Sequence, residues 1–185
     1  MNKPTGYDET EAKVGGGEFP QPTAGGYVAK IVTAEIKTSQ KGKEMLVLGI
    51  DIAEGEFKDH WTKLKEKFEN AFYPSIFQLT EGEHTGYFKG LISAIEKSNS
   101  GYQWNWNEGT LIGKRLGVNL REEEYKNKNG EVKTSLKVAY FTTAQEAKAG
   151  LKPLEPKKLT SSGAPASDFP AHTDNDAPKD DGLPF

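Results

Sequence analysis

The chain contains no cysteine, which excludes disulfide frameworks, thiol nucleophiles and cysteine-based zinc modules. Its three histidines, His60, His84 and His172, stand in unrelated contexts, and no two have a metal-ligand spacing such as i, i+4. No metal and no cofactor is therefore expected. Only 35% of the 185 residues are hydrophobic, against roughly 45–50% apolar residues in an ordinary soluble domain. No run approaches the roughly 18–20 apolar residues that span a bilayer, and no apolar run follows Met1-Asn2-Lys3-Pro4, so nothing argues for a secretory leader. The expectation is a cytoplasmic protein with no membrane partner. Catalytic patterns are missing too. Gly15-Gly16-Gly17 is not followed by Gly-Lys-Ser/Thr, as a phosphate-binding loop would require, and there is no nucleophile elbow. Glu122-Glu123-Glu124 is a carboxylate cluster. Consecutive strand residues point to opposite faces, so it reads as a solvated edge rather than a poised acid/base pair. No catalytic residue and no enzyme is expected, although carboxylates brought together by the fold would leave no local trace.

What is present is unevenly distributed. The net charge of −3 argues against nucleic acid as a partner, since domains that bind it are usually basic. Residues 1–25 are net −2, residues 26–150 net +1, residues 151–159 net +2 and residues 160–185 net −4. The acid is concentrated at the two ends. Both ends are also poor in apolar side chains and carry glycine, proline and serine. They cannot offset the entropy of ordering by burial. Residues 1–23 are expected to be a flexible arm and residues 151–185 a disordered acidic tail around a domain at 24–150.

Within that domain the hydrophobic period is mostly two. Val28, Lys30, Val32, Ala34 and Ile36 share one parity; Leu46, Leu48, Ile50 and Ile52 share another. A polar turn over residues 38–43 with Gly42 joins them. A third strand is predicted at Phe72–Leu79. Phe88, Leu91, Ile92 and Ile95 follow the i, i+3, i+4, i+7 pattern of a helix that Asn99-Ser100-Gly101 ends. Leu116, Val118 and Leu120, then Val132, Leu136, Val138 and Tyr140, form a closing hairpin around residues 126–130. Residues 57–71 fit either a short helix through Trp61, Leu64, Lys65 and Phe68 or an extension of a strand. The predicted class is mainly β. The order of three strands, helix, two strands is that of an OB-fold, a five-stranded Greek-key barrel with its helix between strands 3 and 4. A generic small α+β domain would give a similar order.

Aromatic and basic residues supply the functional signal. Of 19 aromatics, 11 lie between Phe57 and Trp106, more than a barrel of this size readily buries. Tyr102, Trp104 and Trp106 alternate with Gln103, Asn105 and Asn107, which puts three rings on one side of an extended segment. Surface rings stack on unpaired bases, worth about 1–3 kcal/mol per base and tolerant of sequence. Trp61, Tyr73, Phe77, Trp104 and Trp106 are the candidates. Arg115, Arg121, Lys133 and Lys137 occupy the polar parity of the closing hairpin. Lys126 and Lys128 belong to its turn, and Lys41 and Lys43 to the first turn. In OB-folds such loops flank the face that holds oligonucleotides, and cations there would neutralise phosphates in a salt-sensitive way. Glu123 and Glu131 share the outward parity and dilute the patch.

The chain ends Asp180-Asp181-Gly182-Leu183-Pro184-Phe185. Two carboxylates before an apolar residue, a proline and a terminal phenylalanine make a compact hook: a ring for a pocket, an α-carboxylate for a basic side chain, and aspartates that steer it. This hexapeptide resembles the acidic tip of bacterial single-stranded DNA-binding proteins, usually Asp-Asp-Asp-Ile-Pro-Phe. Gly182 and Leu183 stand where an aspartate and an isoleucine are usual. A second resemblance covers most of residues 22–150. The segments 25–31 (GGYVAKI), 41–48 (KGKEMLVL), 88–99 (FKGLISAIEKSN) and 125–131 (YKNKNGE) are similar to those of a family of single-stranded DNA-binding proteins from phages of Gram-positive bacteria. The resemblance implies coating of single-stranded DNA in phage replication, recombination and repair within the host cytoplasm. It also implies recruitment of partner enzymes through the tip. Self-association is compatible with it. Two other readings stay open: an OB-like adaptor that binds protein instead of DNA, and a single-strand annealing protein.

Overall fold

A computed structural model describes residues 20–127 and 129–159. Five strands form one antiparallel sheet: β1 (Gly25–Thr38), β2 (Glu44–Ile52), β3 (Ser75–Leu79), β4 (Arg115–Lys126) and β5 (Val132–Thr142). Their spatial order is β3-β2-β1-β4-β5. Three α-helices accompany them among the described residues, α1 (His60–Lys67), α2 (Thr85–Ser98) and α3 (Ala144–Ala149), with short 3-10 turns at Gly82–His84 and Glu108–Leu111. Among the described residues no helix is long and apolar enough to cross a membrane.

Strand β1 organises the sheet. Its first half, Gly25 to Lys30, pairs with β4, and the stretch Ala29 to Thr38 pairs with β2. A bulge between Ile31 and Thr33 inserts one residue into the β2 ladder, and such an insertion bends a strand and increases its twist. The bulge also corrects the alternation read from the sequence. Before it Ala29 and Ile31, not Lys30, face the core; Val32 is the inserted, half-buried residue, and Ala34 continues the core face after it. Val28 is buried elsewhere, with Ala53, Ala144 and Ala147. On β2 the expected parity holds, and Leu46, Leu48, Ile50 and Ile52 are all sealed from solvent. Phe88, Leu91 and Ile95 of α2, side chains that the helical period selects, join the strand residues in one core cluster. Asn99 ends that helix by donating from Nδ2 to Ile95 O (2.7 Å) and Arg115 O (2.8 Å), tying it to β4.

Within residues 57–71 the helix α1 forms over His60–Lys67 and ends at an extended Phe68, because buried Asp51 on β2 receives its first turn. The Asp51 carboxylate accepts from Trp61 N (3.1 Å), Thr62 N (2.9 Å) and Thr62 Oγ1 (2.6 Å). The third strand begins only at Ser75, three residues later than its apolar pattern suggests. Helix α3 is too short for a period, but Thr143 and Glu146 form a complete capping box. It packs against β4 at Gly117, where a Cβ would lie 2.3 Å from Thr143 O.

The packed chain also continues past residue 150, where a disordered tail is expected. Asn119 Nδ2 donates to Lys152 O (2.9 Å), Lys157 N to Glu122 O (2.9 Å) and Glu124 N to Lys157 O (3.0 Å). Residues 151–159 thus take up the backbone groups of β4 beyond the point where β1 stops pairing with it.

Candidate nucleic-acid interface

Strands β3 and β5 are the two edges of the sheet. They face each other across a groove of about 580 Å³. Ser75 and Phe77 of β3 lie on one side, with Phe72 and Tyr73 from the segment before it. Arg121 and Glu123 of β4 and Ser135 to Ala139 of β5 lie on the other. Lys65 of α1 and Lys157 of the 151–159 segment complete it.

Local structure explains how these side chains meet. A bulge in the β4–β5 ladder between Asn119 and Leu120 sets Arg121 directly opposite Lys137 and Glu123 opposite Ser135. Thr33 and Gly49 form paired positions of β1 and β2 beneath Tyr73. A Cβ on Gly49 would stand 2.3 Å from Thr33 Oγ1 and 3.4 Å from Tyr73 Cβ, so only glycine leaves this floor flat. Lys65 donates to Ala71 O (2.9 Å) and lies 5.5 Å from the centre of the Tyr73 ring, a cation–π distance. Phe72 is 82% and Phe77 48% exposed.

Four cations and one carboxylate line the groove. Glu123 is the carboxylate, and it does not sit on a solvated edge as the sequence suggests: its side chain is only 11% exposed. Arg121 donates to it at 2.5 Å and Lys137 stands 3.7 Å away. Burial works to raise the Glu123 pKa. The hydrogen bond from Arg121 and the charges of Lys157, Arg121 and Lys137 outweigh it and hold the carboxyl below its ordinary range. The groove therefore keeps a net positive charge beside exposed rings, a surface suited to an anionic ligand with flat apolar faces. No family model matches the chain, and no curated protein is significantly similar to it.

Of the residues the sequence singles out, Tyr73, Phe77, Arg121 and Lys137 converge here. Lys133 and Lys126 lie farther along the same hairpin, with Lys133 3.4 Å from Glu131. Lys41 and Lys43 are in the β1–β2 turn, outside the groove lining. Arg115 is turned to Glu54 (3.7 Å), which also receives Lys148. Trp61 is not a surface ring; it is 7% exposed, part of the core, and set edge-on to His60. Trp104 and Trp106 make a separate patch after α2. Their ring centres are 4.9 Å apart, and Phe88 packs edge-on behind Trp104. Trp106 is 78% exposed, at a left-handed φ of 66°. Lys128 and the tip Asp180, Asp181, Gly182, Leu183, Pro184 and Phe185 lie outside the described residues.

Lys65, Phe72 and Lys157 escape the sequence reading. Lys65 falls where helix and strand patterns compete, and Phe72 is expected as the start of the third strand, which begins only at Ser75. Lys157 lies in a stretch whose composition looks like linker, and only its backbone pairing with β4 brings it to the groove. Among the described residues no cluster of three or more carboxylate or imidazole side chains is arranged to hold a metal ion.

Proposed function

We propose that this protein binds single-stranded DNA without catalytic activity, on an OB-fold whose open edge is the β3–β5 groove. A bent first strand shared between two partners and a helix between the third and fourth strands support the fold assignment. The observation that carries the functional reading is the meeting of exposed Phe72 and Phe77 with Lys65, Arg121, Lys137 and Lys157 in one groove. Phosphates would be neutralised by the cations, and unpaired bases would stack on the rings. A duplex has no free base faces to offer, so it gains only the first of these. Little base preference follows, because every base has a π-face.

The acidic tip, by its resemblance to that of bacterial single-stranded DNA-binding proteins, would recruit a replication, recombination or repair enzyme. The setting would be phage DNA metabolism in a bacterial cytoplasm.

The test is fluorescence anisotropy of labelled oligo(dT) with unlabelled duplex of equal length as competitor. Strong binding that duplex displaces poorly is expected. Equal competition by duplex refutes the reading, and no binding to either favours the protein-binding adaptor. Because no tryptophan lines the groove, binding there leaves most tryptophan emission intact. Quenching by oligo(dT) instead reports contact at Trp104 and Trp106.

A further inference from the structure

A buried acid is a costly feature for a groove that would hold a polyanion. Glu123 nevertheless lines this one, with Arg121 at 2.5 Å and Lys137 at 3.7 Å. Its neighbours Glu122 and Glu124 are more exposed. The strand register explains what it does for the free protein. Arg121 and Lys137 are direct cross-strand partners, and like charges in that relation repel. Glu123, two residues along β4 on the same face, offsets one of their two charges.

We infer that Glu123 is an internal counter-ion that a phosphate of the bound strand must displace, so that it sets both the affinity and the salt dependence of the groove. The inference rests on the proposed binding of single-stranded DNA. A phosphate and the Glu123 carboxylate each offer a pair of anionic acceptor oxygens to Arg121 and Lys137, and the Arg121 N–H that donates to Glu123 cannot serve both at once. On binding, the cations pass from Glu123 to the phosphate, and Lys157, whose charge already acts on Glu123, remains to offset the freed carboxylate. The acid thereby keeps the cations ordered in the empty groove at the expense of tight binding, and the strand remains easy to displace.

The test is E123Q, which keeps the shape and an acceptor for Arg121 but removes the charge. Each extra phosphate neutralised steepens the single-strand salt slope by about 0.7. E123Q should then bind oligo(dT) roughly eightfold more tightly at 50 mM salt and about threefold at 200 mM, while its melting temperature falls. A merely structural ion pair predicts that affinity and melting temperature fall together, which overturns the inference. Equal tightening by E56Q, a charge change at an exposed acid outside the groove, also overturns it, because net charge alone would then be responsible. If E123Q does not fold, E123D is used; it keeps the charge, shortens its reach, and should tighten binding by a smaller factor. A parallel R121Q variant separates the two levels. Weaker binding by R121Q with no gain in E123Q or E123D overturns the counter-ion and leaves the DNA reading intact. If none of these variants changes binding, the groove is not the DNA site.

Discussion

Replacing Lys65 and Lys157 together by glutamine removes two of the four groove cations and keeps Arg121, Glu123 and Lys137 themselves, with the loss of Lys157 also removing one of the positive charges that act on Glu123. Neither lysine is buried: Lys65 lies along α1, and Lys157 is held by its backbone rather than its side chain. Folding should therefore be little affected. Four cations less Glu123 leave a net of three charges, which at about 0.7 per charge gives the groove a slope of about −2.1 in log K against log salt. Raising salt from 50 to 200 mM then weakens binding by roughly 18-fold in the native protein. The double variant keeps a net of one, a slope contribution of about −0.7, and a loss of only about 2.6-fold over the same range. Cations elsewhere add equally to both proteins, so the difference of about 1.4 in slope is the quantity to read. Anisotropy titrations of oligo(dT) at four salt concentrations measure it. Identical slopes in the two proteins would refute the assignment of phosphate contacts to this groove, however tightly either one binds.

Two further predictions concern the frame that holds the site. Asp51→Ala leaves the first turn of α1 without its acceptor and should cost about 3 kcal/mol, a fall of about 10 °C in melting temperature; an unchanged calorimetric transition would show that α1 is held by other means. Burial holds the pKa of His60 below its ordinary value, so the fold favours the neutral ring. Its contribution to stability is complete above about pH 6.5 and is lost as pH falls through the lower folded value. His60→Gln should flatten the melting temperature between pH 7 and pH 5, and parallel curves for the two proteins would exclude this origin.

Much of the fold was legible because its signals are local. The alternation of Leu46 to Ile52 and the stripe Phe88, Leu91 and Ile95 depend only on which face of a strand or helix is wet, and the structure buries those side chains. The β1 alternation failed because a bulge is a property of a ladder, not of one strand; nothing in Ile31-Val32-Thr33 announces that Gly49 will pair with Thr33 after Ile50 has paired with Ile31. Trp61 failed as a surface ring for a related reason. Whether an aromatic residue of an amphipathic helix faces core or solvent was decided by Asp51, ten residues away, which anchors the first turn of α1.

By itself the sequence determined the mainly β class, the central helix, the roughly neutral middle between acidic ends, and the terminal acidic hexapeptide. All are properties of composition or short spacing. Only the tertiary structure decided which cations and rings share a groove. It separated Tyr73 and Phe77 from Trp104 and Trp106, turned Arg115 to Glu54, brought Lys157 back from an apparent linker, and placed Glu123 among the cations. Side chains distant in sequence meet only through strand register, and register is a relation between strands that no single segment contains.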